Sequence, residues 1–317
     1  MSAITITFGD CAENNVGMQQ LGEAAEEGFS YEDLVRAKVR FEAAGCRCEL
    51  VDLISAGGVE TLGDPDEGPE PGYVLVVRAG VDALLGAPGA ADAMRDEQRA
   101  LPADTKALFR GEVKNKLARH NLCFAGESQE PDYEAGRGRV VAFRDVPHTA
   151  AAREAIGRFF GDKGRGLLAE GNYYYRPGVC GIGFHGDGER RKVVALRLGT
   201  AIPLHYQWFL RSRPAGYRVV LSLNHGDLYA MSEKAVGYDW KRPSIPTLRH
   251  AAGARKYLTI EGHPAAVRPV RPPRVAAPAV APAAVPAAAL PFVEGLVLAD
   301  DALRDLLADA LRAAQPQ

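Results

Sequence analysis

From Arg139 to Gly262 the chain never holds one pattern for long. Short apolar or alternating runs stop at Gly, Pro, Asn or Asp and begin again. Such spacing predicts short strands stacked into a barrel or sandwich, because a run this short buries one face only against another sheet. The region opens with RVVAFRDVP, passes through a helix around Ala150–Phe160, and is strand-like thereafter. Residues 1–138 read differently. Ile4–Phe8 is a strand, and Tyr31–Ala44 has helical spacing (Leu34, Val35, Val39, Phe41) behind the N-cap Ser30. Glu49–Ile54 and Tyr73–Arg78 are strands, the second apolar enough to be fully buried, and Ala90–Leu101 is a helix. The alternation predicts an N-terminal α/β region over 1–138 and a sheet-rich domain over 139–262, an α+β fold class overall. Residues 263–291 carry eight prolines without periodicity and read as an extended linker. In 292–317, Asp300–Ala314 is an amphipathic helix with Leu303, Leu306, Leu307 and Leu311 on one face, which docks either in cis or on a partner.

Charge is divided along the chain. Residues 1–150 hold 15 Lys+Arg against 26 Asp+Glu, and residues 151–317 hold 23 against 14. The basic half suits anionic ligands, or is simply a solvated surface. No apolar run approaches the ~20 residues that span a bilayer, which predicts no membrane partner. Five cysteines, an odd number without CxxC spacing, predict reduced thiols and a cytoplasmic setting.

The basic half also carries metal-ligand chemistry. In GIGFHGD, strand alternation puts His185 and Asp187 on one face, and the flanking glycines admit a bulky ligand. The triplet alone means little, because random placement of 7 His and 40 Asp+Glu in 317 residues gives roughly one such triplet. A second imidazole must come from farther along. His250, before a Gly turn and a strand that carries the basic pair Arg255 and Lys256, is preferred over His205 and His225. Two imidazoles and one carboxylate leave half of an iron coordination sphere open, as Fe(II) oxygenases require. A 2-oxo dicarboxylic cosubstrate also needs a cation for its far carboxylate, and Arg255 suits that bidentate contact.

These motifs together resemble the AlkB-like branch of the Fe(II)/2-oxoglutarate dioxygenases. The matching residues run from Asn172-Tyr173-Tyr174 and His185-Gly186-Asp187 through Leu196-Arg197-Leu198-Gly199 and Leu223-Asn224-His225-Gly226-Asp227. They end at His250 and at Arg255-Lys256-Tyr257-Leu258-Thr259, about ninety residues in all. The resemblance implies a double-stranded β-helix (jelly-roll) core, with Fe(II) on His185, Asp187 and His250. It implies 2-oxoglutarate on Asn172, Tyr174 and Arg255, and His225 as a structural residue on a core strand. Only five positions separate His250 from Arg255, fewer than in the family, so Lys256 and Arg249 stand as alternative anchors. Glu261 occupies the place of a second family arginine.

The chemistry so implied consumes O2 and 2-oxoglutarate, releases succinate and CO2, and hydroxylates or oxidatively demethylates a substrate. That substrate is a small molecule, a nucleotide or a modified base. The Glu189–Lys192 charge cluster and the aromatics Tyr173, Tyr175, Tyr206, Trp208 and Trp240 fit a base, or else solvent and core. Two rival readings use the same residues: a zinc hydrolase with Glu189 as general base, and a silent jelly-roll binding module. Phe8–Gln20 reads as a turn, or as a pocket at a strand end. Lys106–Cys123 reads as a basic, helix-like stretch.

Overall fold

Ile4, Ile6 and Phe8 alternate with Ala3, Thr5 and Thr7, so the strand Ala3–Gly9 (β1) has one apolar face and one small, polar face. Everything else is arranged around it. The computed structural model describes residues 2–262, apart from 65 and 67, and the backbone of 267–269. The remainder of the expected linker 263–291, and 292–317 with its expected helix, lie outside the described residues.

A small hairpin, β2 (Cys11–Glu13) and β3 (Gln20–Gly22), follows β1. Helix α1 (Tyr31–Ala43) starts where expected. The Ser30 side chain accepts from the Asp33 N–H, and Asp33 returns the bond, forming a capping box. β4 (Cys48–Asp52) is shorter than the predicted strand, because Asp52 caps a helix, α2 (Leu53–Gly57), by accepting from the Ile54 N–H. β5 (Tyr73–Val77) is buried over its last four residues, as its composition implied. Helices α3 (Gly80–Leu85) and α4 (Ala90–Ala100) come next. The stretch read as a basic helix instead forms β6 (Lys106–Phe109), β7 (Glu112–Asn115) and β8 (His120–Ala125). Arg110 and Gly111, both at positive φ (52° and 79°), close the β6–β7 hairpin with the two-residue turn that twisted strands favour.

The second half holds β9 (Val140–Ala142) and α5 (Pro147–Phe160), with Pro147 in its first turn. Then come β10 (Leu168–Tyr174), β11 (Gly181–His185), β12 (Val193–Gly199), β13 (Leu204–Leu210), β14 (Arg213–Leu221) and β15 (Leu228–Met231). A short helix α6 (Glu233–Val236), β16 (Thr247–Gly253), a four-residue helix α7 (Arg255–Leu258) and β17 (Val267–Pro269) complete the described chain.

An eight-stranded sheet runs β4-β5-β15-β12-β1-β10-β8-β9, and a five-stranded sheet runs β11-β16-β13-β14-β17. Pairing is antiparallel except at β8–β9 and β14–β17. The first sheet is sandwiched. On one face Ile4, Ile6 and Phe8 of β1, with Val194, Leu196 and Leu228, meet Phe41 of α1, Met94 of α4 and Ile156 of α5. On the other, Val74, Val76, Val193 and Tyr229 meet Tyr206, Trp208, Val219 and Leu248 of the second sheet. The result is a mixed α+β fold dominated by a large antiparallel sheet. Among the described residues no helix is long and apolar enough to cross a membrane.

The boundary expected at 138/139 does not divide this body. β1, β4, β5 and β8 come from the first 138 residues and lie in the same sheet as β10, β12 and β15. β1 is hydrogen-bonded on both sides, to β10 and to β12, so its place is the middle of the sheet. Residues 1–138 therefore belong to the same layers as the sheet-rich half.

Candidate metal centre

β11 and β16 pair in a register that sets His185 opposite His250. Asp187 lies two residues past the end of β11, and its N–H donates to the Val236 carbonyl at 3.0 Å. The backbone here admits only glycine at 186, where a Cβ would lie 2.2 Å from the Gly237 oxygen and 2.7 Å from Trp240 Cβ. His185 Nε2 is 3.4 Å and His250 Nε2 is 3.5 Å from Asp187 Oδ1. Ligand atoms of all three side chains lie within 4.8 Å of one another. The three residues named from the sequence as metal ligands are thus brought together from β11, the turn after it, and β16.

The electrostatics favour the forms a metal needs. His185 Nδ1 lies 2.8 Å from the Gly183 carbonyl, a contact that assigns the proton to Nδ1 and leaves the Nε2 lone pair facing Asp187. Burial, together with the neighbouring His185, lowers the pKa of His250 and favours the neutral imidazole. Burial alone would raise the Asp187 carboxyl. The close contacts with the two imidazoles and the charge of Arg190 outweigh it, and hold the group well below the usual range. Arg190 is buried and supports this corner: it meets Glu170 at 2.6 Å, Glu189 at 2.9 Å and Asp187 at 3.7 Å.

The cluster lies in the wall of a cavity of about 870 Å³ between the two sheets. Thr5, Asn172, Tyr174 and Arg197 line it from the first sheet, and Trp240 and the β2–β3 hairpin (Glu13 to Gln20) also border it. Asn172 is well held, accepting from Arg119 Nε at 2.5 Å and Asn121 Nδ2 at 2.8 Å. Tyr174 is buried, and burial raises its hydroxyl.

The anchor named from the sequence is not here. Arg255 and Lys256 are exposed on α7 and do not line the cavity; the strand expected at that point is a helical turn. Gly253, at φ 106° and with no room for a Cβ, which would lie 2.4 Å from the Gly181 Cα, ends β16. Arg249 is one residue from His250 on β16, so its side chain leaves the opposite face, over the Phe209 ring at 4.1 Å. His225 is structural, as expected, but sits in a turn, where its Nδ1 accepts from the Gly199 N–H at 2.9 Å.

Of the aromatics considered for base stacking, only Trp240 lines the cavity. Tyr206 and Trp208 are core, Tyr173 donates to Gln98, and Tyr175 stacks on His120. The Glu189–Lys192 cluster is not a solvated patch: Arg190 is buried, and Arg191 pairs with Glu233 over the Tyr238 ring. Arg197 and Glu170 were not among the site residues named from the sequence, although each is a charge inside a largely apolar strand (VVALRLG and LAEGNYY), which is itself a signal.

No family model matches the chain. Over 256 residues it is 46% identical to a protein of Acanthamoeba polyphaga mimivirus described as "Uncharacterized protein R156". The alignment covers 80% of this chain and 97% of the viral one.

Proposed function

We propose an oxygenase activity for this chain, which belongs to the same family as the mimivirus protein R156. The reading is an AlkB-like Fe(II)- and 2-oxoglutarate-dependent dioxygenase that hydroxylates or oxidatively demethylates a small molecule, nucleotide or modified base. One observation carries it: His185, Asp187 and His250 converge within 4.8 Å in the wall of a cavity. The donor chemistry fits Fe(II), since two neutral imidazoles and one carboxylate leave the remaining positions for cosubstrate and O2. The contact of His185 Nδ1 with a backbone carbonyl is the outer support that ligating imidazoles require.

The strand order supports a jelly-roll core. Numbering β10 to β16 as strands one to seven of an eight-stranded jelly roll puts one, three and six in the first sheet and two, seven, four and five in the second. The sheets contain those segments in the orders β10-β1-β12-β15 and β11-β16-β13-β14. β1 then fills the place of the eighth strand.

In such an enzyme the bound iron supplies O2 activation coupled to decarboxylation of the 2-oxo acid. The chain's own residues do the rest. Arg190 and the Val236 carbonyl fix the Asp187 carboxylate and its backbone. The two sheets keep bulk water from the cavity floor, and its volume suits the cosubstrate together with a group of nucleobase size. Trp240 brings an aromatic side chain to the lining, and Glu13 and Gln20 bring hydrogen-bonding groups. The zinc-hydrolase alternative asks Glu189 to act as a base, yet that carboxylate is engaged with the buried Arg190.

The test is succinate formation by anaerobically purified protein given Fe(II), 2-oxoglutarate and then O2. Uncoupled succinate is expected from the wild type and is lost in His185→Ala. Equal succinate in both, or none in a wild type that retains zinc, removes the oxygenase reading.

A further inference from the structure

We infer that Arg197, with the Thr5 hydroxyl beside it, takes the far carboxylate of a five-carbon 2-oxo dicarboxylic acid. The inference rests on the oxygenase reading, and it moves the anchor from the distal end of the domain to the strand next to β1. Arg197 is 1% exposed, and its neighbours do not neutralise it. Its Nη1 donates to Thr5 Oγ1 at 2.6 Å, its Nε has no partner, and no carboxylate among the described residues is in ion-pair contact with it. A guanidinium out of water without an anion is unfavourable, so its surroundings suit an incoming carboxylate.

The register gives it the right company. Thr5 lies opposite Arg197 on β12 and opposite Asn172 on β10, so the three form one row across the first sheet. That row lines the cavity that also contains His185, Asp187 and His250. A planar fork matches a carboxylate in two-point contact. The Thr5 oxygen accepts from Arg197, which leaves the hydroxyl proton free for the same anion. Neither Arg255 nor Lys256 borders this cavity, and Arg249 is stacked on Phe209. The cation of this site therefore comes from within VVALRLG, and its hydroxyl partner from the N-terminal strand that occupies the adjacent slot.

The experiment is an anaerobic titration of Fe(II)-loaded protein, reading the visible charge-transfer absorption of a chelated 2-oxo acid. Two probes are compared, 2-oxoglutarate and 2-oxobutanoate, which lacks the far carboxylate. Wild type is expected to prefer 2-oxoglutarate strongly. Arg197→Gln should weaken 2-oxoglutarate by on the order of 100-fold, leave 2-oxobutanoate unchanged, and so erase the preference. Thr5→Val, a gentler change in case Arg197→Gln fails to fold, should cost roughly 10-fold on 2-oxoglutarate alone. Arg255→Gln should match wild type. Retained preference in Arg197→Gln, its loss in Arg255→Gln, or no preference in wild type overturns the assignment. A wild type that binds iron but neither acid overturns the oxygenase reading beneath it.

Discussion

Glu13 stands at the mouth of the cavity, on the hairpin that follows β1. Burial pushes its carboxyl up from 4.5 to about 7; the Gly17 N–H opposes this, and the charge of Glu189 adds to it. A carboxyl with a raised folded pKa binds its proton more tightly folded than unfolded. Its contribution to stability is full below pH 4.5 and is lost as pH rises through about 7. Allowing for solvent screening, wild type should lose about 1–2 kcal/mol relative to Glu13→Gln between pH 4.5 and pH 8. Urea midpoints for the two proteins across that range measure it, and parallel curves would exclude it. At this scale the candidate metal ligands were legible because metal chemistry demands particular side chains at particular spacings. The proposed anchor Arg197 was not, because an arginine becomes a candidate only through what surrounds it, and the row Thr5–Arg197–Asn172 joins residues nearly two hundred positions apart.

Among the elements, β1 holds an interior place in the larger sheet, paired on both sides. Ile6 is fully buried between β10 and β12 and faces the helices. Ile6→Ala should destabilise by roughly 2–5 kcal/mol, the cost of a cavity in a packed core. Val113→Ala, on the exposed β6–β7 hairpin at 38% exposure, should stay within about 0.5 kcal/mol. Chemical denaturation of the two variants compares them, and similar losses would argue against the central place of β1. Elements with clear local signals were legible in the sequence: the Ser30 N-cap of α1, the buried β5, and the helix around Ala150–Phe160, which begins three residues earlier at Pro147. Those decided elsewhere were not. Lys106–Cys123 carries charges at helix-like spacing, yet the turn at Arg110–Gly111 and the partner strand β10 make it a hairpin and a core strand. Arg255 follows a strand and was expected to begin another, but the chain passes Gly253 at φ 106° and forms a helical turn instead.

For the molecule as a whole, the candidate metal centre exists only in the folded chain, because the pairing of β11 with β16 assembles it, so occupancy there should report on global stability. A divalent ion that binds only the folded chain stabilises by about 2.7 kcal/mol at one hundred times its dissociation constant. Co(II), a redox-quiet stand-in for Fe(II), should therefore raise the thermal midpoint by roughly 5–10 °C. Chelator should reverse the rise, and His185→Ala should abolish it. Calorimetry decides this, and an equal rise in His185→Ala would place the ion elsewhere. The α+β class was legible from the run of short strands. The sharing of one sheet by both halves was not, because strand partners distant in sequence leave no trace in local periodicity.

The central position of the first strand has a consequence for synthesis. The ribosome makes Ile4, Ile6 and Phe8 early, but their partners in β10 and β12 end at Tyr174 and Gly199. At ordinary elongation rates of about 5–20 residues per second, the nascent strand waits roughly 10–40 s for both neighbours. During that interval a sticky segment is without its mates and is exposed to chaperones and to misassociation.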